Sequence, residues 1–341
     1  MSRRTRRILL ISAGSLVAIL AACAATIRSM IITPYKGYLA QKTAVTIPAG
    51  SSLNAIAKML HRKGIIRYPL LLTSIFHFHK TEGQSKAGDY VFDRALSPLE
   101  VYEKLMKGEV FYNVITVPEG SNVFDIAAIT ESKGIGKEQE FEQSLQSKEV
   151  IAVLHAIAPE LQTPEGFLFP DTYFLGKTDG PAKLALVMLR EFRKHYGAAE
   201  QERSTALGLS TIQGITLASL IEKETGQPSE RPLISGVFHN RLKRSMLLQC
   251  DPTVIYAMLL AGEYGGRILR SDLQRDSPYN TYTHAGLPPG PICNPGAASI
   301  QAALYPQETD KLYFVSKNDG THYFAATLEE HNRAVQRYQR N

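Results

Sequence analysis

A run of twenty uncharged residues near the N-terminus constrains the fold more than any other feature. A helix of that length spans about 30 Å, the thickness of one bilayer hydrocarbon core. The run extends from Ile8 to Ile27 and directly follows Arg3, Arg4, Arg6 and Arg7. By the positive-inside rule, the N-terminus should be cytoplasmic and the rest of the chain should lie outside. We therefore predict a basic cytoplasmic tail at residues 1–7 and a transmembrane anchor at residues 8–27.

Two other interpretations of this segment stay open. The sequence Leu20-Ala21-Ala22-Cys23 resembles a lipobox, in which case Cys23 would become the lipidated first residue. A cleaved signal peptide is the other alternative. All three interpretations place most of the chain beyond the cytoplasmic (inner) membrane, in the periplasm or its extracytoplasmic equivalent.

Composition excludes several classes of function. The chain has 341 residues, 44% of them apolar, and a net charge of +6, which suits a globular protein with an anionic partner. We find no nucleic-acid-binding motif, and the three cysteines and nine histidines show no metal-ligand spacing. We therefore expect no nucleic-acid partner, no metal and no cofactor. Cys250 and Cys293 are interpreted as free thiols, although a disulfide between them stays open.

A duplication follows the predicted anchor. Thr46-Ile47-Pro48-Ala49-Gly50-Ser51 recurs seventy residues later as Thr116-Val117-Pro118-Glu119-Gly120-Ser121, and the same offset relates Lys63-Gly64-Ile65 to Lys133-Gly134-Ile135. Each copy predicts a short strand, a turn, a helix with the serine as N-cap, and a Lys-Gly helix stop. This order of strand, turn, helix and helix stop resembles LysM-like modules that dock on amino-sugar polymers. A generic α/β packing unit is the alternative.

The C-terminal half contains the candidate chemistry. Leu217, Leu220 and Ile221 form one face of a predicted helix, and Glu224 continues that stripe where an apolar residue is expected. A carboxyl on an apolar face should have a raised pKa, as a general acid requires. The alternative is a stripe that ends at a solvated helix terminus. Upstream, residues 164–175 are rich in aromatics and could either line a sugar groove or form a rigid buried connection.

Several ordered motifs resemble one family. They include Gly166-Phe167-Leu168-Phe169-Pro170-Asp171-Thr172-Tyr173, Ala218-Ser219-Leu220-Ile221-Glu222-Lys223-Glu224-Thr225, Leu248-Gln249 with Asp251-Pro252-Thr253, Tyr279-Asn280-Thr281-Tyr282 and Gly286-Leu287-Pro288-Pro289-Gly290. Together they resemble the YceG-like family of endolytic murein transglycosylases, over essentially the whole chain. The family's essential glutamate maps to Glu224. Cys250 and Cys293 depart from the small or hydroxylated residues expected at their positions, and we expect neither thiol to touch Glu224.

The resemblance implies a mixed α+β protein. We expect a single N-terminal transmembrane helix, a small LysM-like α/β domain at residues 40–150 and a mixed α+β catalytic domain at residues 155–341. It also implies cleavage of the β-1,4 bond between N-acetylmuramic acid and N-acetylglucosamine, with a 1,6-anhydro end. Expected partners are peptidoglycan glycan strands, the cytoplasmic membrane and peptidoglycan synthases.

The resemblance assigns catalysis to Glu224, which would first donate and then accept a proton. We assign substrate binding to Glu222, Asp171, Asn240, Gln249, Asp251, Tyr279 and Asn280. A lysozyme-type hydrolase would need a second carboxylate, and its candidates are Asp171, Asp251 and Glu222. A non-catalytic wall-binding scaffold and an anchored solute-binding protein are further alternatives.

Overall fold

The computed structural model describes residues 3–108, 110, 113–176 and 179–339, with side chains described from residue 15 onward except 16 and 17. The chain divides into two compact units, residues 1–113 and 114–341. Each unit has its own cluster of buried apolar side chains. The mixture of helices with three small sheets confirms the predicted α+β class.

The first unit surrounds a two-stranded antiparallel sheet. The strands pair from Thr43 with Phe92 to Ile47 with Gly88. Val45, Ile47, Tyr90 and Phe92 are buried and pack on the helices. The elements in chain order are α1 (Arg3–Ile32), β1 (Thr43–Ile47), α2 (Leu53–Arg62), α3 (Pro69–Phe78), β2 (Gly88–Phe92) and α4 (Pro98–Lys107). Ser97 and Glu100 form a capping box that starts α4, and Gly108 ends it in a left-handed conformation.

The predicted anchor at residues 8–27 falls partly on residues whose side chains lie outside the described part of the chain. Among the residues that are described, no single helix is both long and apolar enough to cross a membrane. One bent pair, Ala198–Ala206 with Thr211–Glu224, meets that length and composition across an 88° bend.

The second unit consists mainly of helices around one core. Its elements are β3 (Asn113–Thr116), which begins at the boundary, α5 (Val123–Ser132), α6 (Glu138–Ser144), α7 (Lys148–His155), β4 (Thr172–Leu175), α8 (Pro181–His195), α9 (Ala198–Ala206), α10 (Thr211–Glu224), α11 (Arg231–Lys243), α12 (Asp251–Leu260), α13 (Ala297–Leu304), β5 (Tyr313–Ser316), β6 (His322–Ala325) and α14 (Leu328–Gln339). Strand β3 pairs with β4, and β5 pairs antiparallel with β6. Helix α10 lies at the centre and packs against α9, α11, α12 and α13.

The sequence repeat is also a structural repeat. Both copies fold as strand, turn and helix: β1 with α2, and β3 with α5. Gly50 and Gly120 have φ of 76° and 77° in the two turns, a left-handed backbone that favours glycine. Gly64 and Gly134 repeat that conformation after the helices, at 71° and 68°. The predicted Lys-Gly helix stop is therefore confirmed in both copies.

The N-cap prediction for the repeat was one residue early. Ser52 and Asn122 are the N-caps, and their side chains accept from the third backbone N–H of each helix. Ser51 and Ser121 instead donate their hydroxyls to the carbonyls of the turn prolines, each at 2.8 Å. A serine before the extended N-cap residue lies too far back to reach the helix and closes the turn instead.

The two copies belong to different compact units. The first copy packs in the core of residues 1–113, whereas Val117, Ile126 and Ala127 of the second copy are buried in the core that contains α10. This division does not coincide with the predicted boundary between residues 40–150 and 155–341. The LysM-like assignment of residues 40–150 stays a prediction.

The two repeat glycines allow a matched test of backbone constraint. An added Cβ at Gly134 meets nothing within 4 Å, whereas at Gly64 it lies 2.6 Å from the backbone carbon of Gly37. Gly134→Ala should therefore cost only the left-handed backbone, about 1–2 kcal/mol. Gly64→Ala adds a backbone clash and should cost at least twice as much. Urea unfolding, combined with amide hydrogen exchange resolved for each unit, measures the loss of stability in both variants. Equal losses in Gly134→Ala and Gly64→Ala would contradict the clash at Gly64.

Candidate active site

Burial on every side defines the environment of helix α10. Residues 214–221 are all buried, so the helix has no solvent-facing surface along this stretch. Ser210 and Gln213 form a capping box at its start, and the extended backbone of Thr225 ends it after Glu224. Glu224 is consequently the last residue of a buried helix. It retains partial exposure to solvent, although protein atoms surround its carboxyl closely.

The thiol of Cys250 contacts the Glu224 carboxyl. Its Sγ donates to Glu224 Oε1 at 2.8 Å. Our expectation that neither cysteine touches Glu224 was therefore wrong for Cys250, because α12 begins beside the end of α10 and brings its N-cap residue there. Cys293 donates instead to the Ser219 carbonyl at 3.4 Å. Both thiols are free, so they do not form a disulfide.

Burial raises the pKa of Glu224 above its usual range, and the negative charge of Asp251 adds to this effect. The Cys250 hydrogen bond and the positive charges of His322 and Arg241 oppose it and lower the pKa in part. Among the described residues, Glu224 has no cation within 4 Å to hold it permanently ionised. A carboxyl with a raised pKa keeps its proton to a higher pH than a solvated one does, which is the property of a general acid.

Glu222 is in a different environment, although it lies only two residues away. Its carboxylate forms an ion pair with Arg231 at 3.0 Å and accepts from the backbone N–H of Gly296 at 2.9 Å. Gly296 is the N-cap of α13, so Glu222 also binds at the positive end of that helix. Both oxygens are engaged in contacts that hold α10, α11 and α13 together.

Three of the predicted substrate-binding residues lie near Glu224 or on loops that lead to it. Asp251 is exposed at the start of α12, next to Cys250, and accepts a hydrogen bond from the Tyr282 hydroxyl. Gln249 is exposed and has a φ of 52°, a left-handed conformation unusual for a residue with a Cβ. Tyr279 is partly buried, and its ring packs on Tyr256 with centroids 5.1 Å apart.

Two of the predicted residues use their amides inside the protein. Asn240 donates to the carbonyls of Thr309 and Lys311, which fixes the approach to β5. Asn280 is fully buried and donates to the carbonyls of Leu273 and Arg275. Asn280 therefore stabilises the loop that presents Tyr279 and Tyr282. Substrate contact by either amide stays a prediction.

Asp171 lies at the start of β4. One of its carboxylate oxygens accepts from the N–H of Thr172, and its carbonyl accepts from the N–H of Val117 in the neighbouring strand. These bonds join the second repeat copy to β4. The structure gives Asp171 no hydrogen bond or ion pair with Glu224.

Sequence reasoning missed a second buried carboxyl. Residues 164–170 are all buried, which identifies this aromatic segment as a rigid connection rather than a groove lining. Within it, Glu165 is fully buried and accepts from the Val123 N–H, the Tyr256 hydroxyl and the Asn294 amide, at 2.9, 3.0 and 2.9 Å. Burial raises the pKa of Glu165 from 4.5 to about 7. The signal available in the sequence was a charged residue directly before the apolar run Gly166-Phe167-Leu168-Phe169.

Asn294 extends this network. Its side-chain oxygen accepts from the N–H of Leu168, and its amide donates to the Ser121 carbonyl as well as to Glu165. The side chain is fully buried, and three of its bonds are satisfied. Glu165 and Asn294 thus connect the second repeat copy to α12, whose first turn lies beside Glu224.

The described part of the chain contains no group of three or more His, Cys, Asp and Glu side chains placed to hold a metal ion. The groups that the structure brings together at the end of α10 are the Glu224 carboxyl, the Cys250 thiol and the neighbouring Asp251.

Comparison with known proteins identifies the family of this chain. The sequence profile of the YceG-like family matches residues 45–337. The endolytic murein transglycosylase of Bacillus subtilis is 35% identical over 308 residues, covering 86% of this chain and 84% of that protein. That of Streptococcus pneumoniae R6 is 31% identical and matches over 85% of this chain but 57% of its own length.

A solved structure agrees with this result. The crystal structure of a YceG-like protein from Listeria monocytogenes is 33% identical and superposes with a TM-score of 0.59, covering 86% of this chain and 98% of that one. This chain belongs to the YceG-like family.

The buried Glu165 carboxyl should make stability depend on pH. Because its pKa is raised by folding, its contribution is fully present below about pH 4.5 and is lost as the pH rises through about 7. The full change corresponds to roughly 3 kcal/mol. Glu165→Gln should remove this dependence, so that the stability difference between variant and parent shifts in favour of the variant as pH rises. Denaturant titrations from about pH 4 to 8 measure it.

The exposed Glu160→Gln is the matched control, since a surface carboxyl should leave the pH profile unchanged. Glu165→Gln need not be more stable in absolute terms, because its amide faces three donors. The diagnostic quantity is the slope of the free energy of unfolding against pH. The same slope in Glu165→Gln and in the parent would contradict the assignment of this pH dependence to Glu165.

Proposed function

We propose that this protein is a lytic transglycosylase that cleaves peptidoglycan between N-acetylmuramic acid and N-acetylglucosamine and leaves a 1,6-anhydro end. The observation that carries the proposal is Glu224: a carboxyl with a raised pKa at the end of a buried helix, with a thiol donor but no paired cation among the described residues. The names of the B. subtilis and S. pneumoniae relatives support the substrate class.

The reaction requires only one carboxyl. Protonated Glu224 donates its proton to the glycosidic oxygen as the bond from muramic C1 breaks. The resulting carboxylate then accepts the proton of the C6 hydroxyl, and this oxygen forms the new bond to C1 of the same ring. Glu224 ends protonated, and no water enters. The raised pKa favours the first step, and the neighbouring positive charge of Arg241 stabilises the carboxylate formed in between.

The substrate is expected to lie along the loops around Glu224. Gln249 and Asp251 are exposed next to Cys250, and Tyr279 presents a partly buried ring that can pack against a sugar face. We assign neutral-sugar recognition to these three side chains. The duplicated turns of residues 40–150 support a docking contribution to the glycan strand. Association with peptidoglycan synthases is an implication of the family alone.

A hydrolase is the second candidate, and Asp251 is the observation that favours it. Asp251 is the one suggested second carboxylate whose charge acts on Glu224. Glu222 binds Arg231 and Gly296, and the Asp171 carboxylate accepts from the N–H of Thr172. The two reactions differ in the product end, which is heavier by one water after hydrolysis.

Glu224→Gln keeps the size of the side chain and removes its proton chemistry. The full chain in detergent should release anhydro ends from purified peptidoglycan, and the variant should lose this activity by about 10²–10⁴-fold. Mass spectrometry of the products measures both the rate and the type of end. The variant should still sediment with peptidoglycan. If cleavage survives in Glu224→Gln, another residue is the acid.

Two further variants separate the remaining alternatives. Asp251→Asn should leave the type of end unchanged for a transglycosylase, whereas products carrying an added water in the parent would identify a hydrolase.

Glu222→Gln should reduce the free energy of unfolding by about 3–5 kcal/mol because it leaves Arg231 partly uncompensated. It should not change the type of end. A parent that binds the wall but never cleaves it would support the scaffold alternative.

We further propose that residues 8–27 anchor the protein in the cytoplasmic membrane, with residues 33–341 outside the cytoplasm. Alkaline phosphatase fused after Asn341 should be active only when residues 1–32 are present, because the enzyme folds in oxidising compartments. Cys23→Ser is the control for lipidation: membrane association should survive in this variant if the helix is the anchor. Loss of membrane association in Cys23→Ser would favour the lipoprotein alternative. An inactive fusion that contains residues 1–32 would indicate the opposite orientation, with the C-terminus in the cytoplasm.

A further inference from the structure

The thiol of Cys250 is the one hydrogen-bond donor from a side chain to Glu224 within the described part of the chain. The bond joins Cys250 Sγ to Glu224 Oε1 at 2.8 Å and involves only one of the two carboxyl oxygens. The two oxygens of the proposed acid are therefore not equivalent before any substrate binds.

The backbone of Cys250 is held rigidly. Its N–H donates to the Thr281 hydroxyl at 2.9 Å, and its carbonyl accepts from the Thr253 hydroxyl at 2.6 Å. The two threonine hydroxyls also contact each other at 2.9 Å. The residue itself is fully buried at the N-cap of α12. The fold therefore determines where the Cys250 side chain lies, and its thiol is preorganised as a donor to Glu224.

The thiol remains protonated in this environment. Burial, together with the negative charge of Glu224, raises the pKa of Cys250 well above its usual range. A buried thiol beside a carboxylate cannot easily ionise, since two like charges would then share one poorly solvated site. Cys250 therefore acts as a donor to Glu224 at any pH at which the enzyme works.

We propose that Cys250 is a positioning residue for Glu224: its S–H occupies Oε1, so that Oε2 is the oxygen that gives and regains the reacting proton. This inference rests on the proposed function and adds a role to the same site. In the first step the Oε2 proton moves to the glycosidic oxygen. In the second step the C6 hydroxyl proton moves to Oε2. The thiol proton stays on sulfur throughout and stabilises the carboxylate formed between the steps.

A thiol has a specific advantage over a hydroxyl in this position. Because S–H is a weak donor, it orients the carboxyl without lowering the Glu224 pKa as far as a hydroxyl would. Other groups that act on Glu224 are Asp251 at the start of α12, Arg241 of α11, His322 of β6 and Tyr282 of the adjoining loop. All of them remain in place when only residue 250 is changed.

The test compares Cys250→Ala and Cys250→Ser in the full chain in detergent. The alkaline limb of the pH profile of kcat/KM reports the pKa of the essential acid in the free enzyme. Cys250→Ala should shift this limb to higher pH by roughly half to one unit, because it removes a hydrogen-bond donor to the Glu224 carboxylate. Cys250→Ser should leave it unchanged or move it downward. Cys293→Ser, which changes an equally buried thiol that bonds to Ser219, should have no effect on the limb.

Infrared spectroscopy provides a readout that does not require turnover. The S–H stretching band of Cys250, assigned by subtraction of the Cys250→Ala spectrum, should move to lower frequency as the Glu224 carboxyl band disappears with rising pH. Glu224→Gln should abolish that pH dependence. A Cys250 band that does not respond to pH, or a Cys250→Ala limb that coincides with the parent limb, would overturn the proposal.

The two readouts also separate this inference from the proposed function. If the parent fails to cleave peptidoglycan but the S–H band follows Glu224, the hydrogen bond stands and the assigned reaction fails. If the parent cleaves peptidoglycan but Cys250→Ala and Cys250→Ser have the same alkaline limb, the reaction stands and the positioning role of Cys250 fails.

Discussion

The burial of residues 214–221 of helix α10 on every side is the constraint on which the site depends. From Gly214 to Ile221 each residue is buried, and the segment is held in place by apolar packing together with hydrogen bonds from Ile292 and Cys293 to Ser219. The helix therefore presents its last turn at a defined place. Glu224 lies where burial gives way to partial exposure of the residue, and its carboxyl is poorly solvated.

Two glutamates in this last turn show how environment separates chemical roles. Glu222 and Glu224 are identical residues two positions apart, but Glu222 faces Arg231 and the N-terminus of α13, whereas Glu224 faces a thiol. A carboxylate that binds a buried cation and a backbone donor links the elements that carry them and stabilises the fold. A carboxyl with only a weak neutral donor can change its protonation state, which is the property that acid catalysis needs.

The region before α10 supports this site from a distance. Glu165 and Asn294 form a buried network that joins the second repeat copy, the connection at residues 164–170 and α12. Since α12 begins with the segment that presents Cys250 and Asp251, this network contributes to the position of the groups next to Glu224. It also explains why the second repeat copy packs into the core of residues 114–341, although its sequence matches the first copy.

The sequence by itself determined the local features, namely the strand–turn–helix repeats and the glycine helix stops, whereas the assignment of Glu224 from the ordered motifs stays a prediction. Each of these local features depends on residues close together in the chain, for which backbone propensity and capping suffice. The helical stripe that pointed to Glu224 assumes one buried face, whereas residues 214–221 of α10 are buried on all faces. Only the tertiary structure decided which glutamate meets a cation, that Cys250 contacts Glu224, and that Glu165 is buried. Those outcomes depend on contacts between residues that lie 9 to 129 positions apart, and desolvation by such contacts cannot be obtained from local pattern alone.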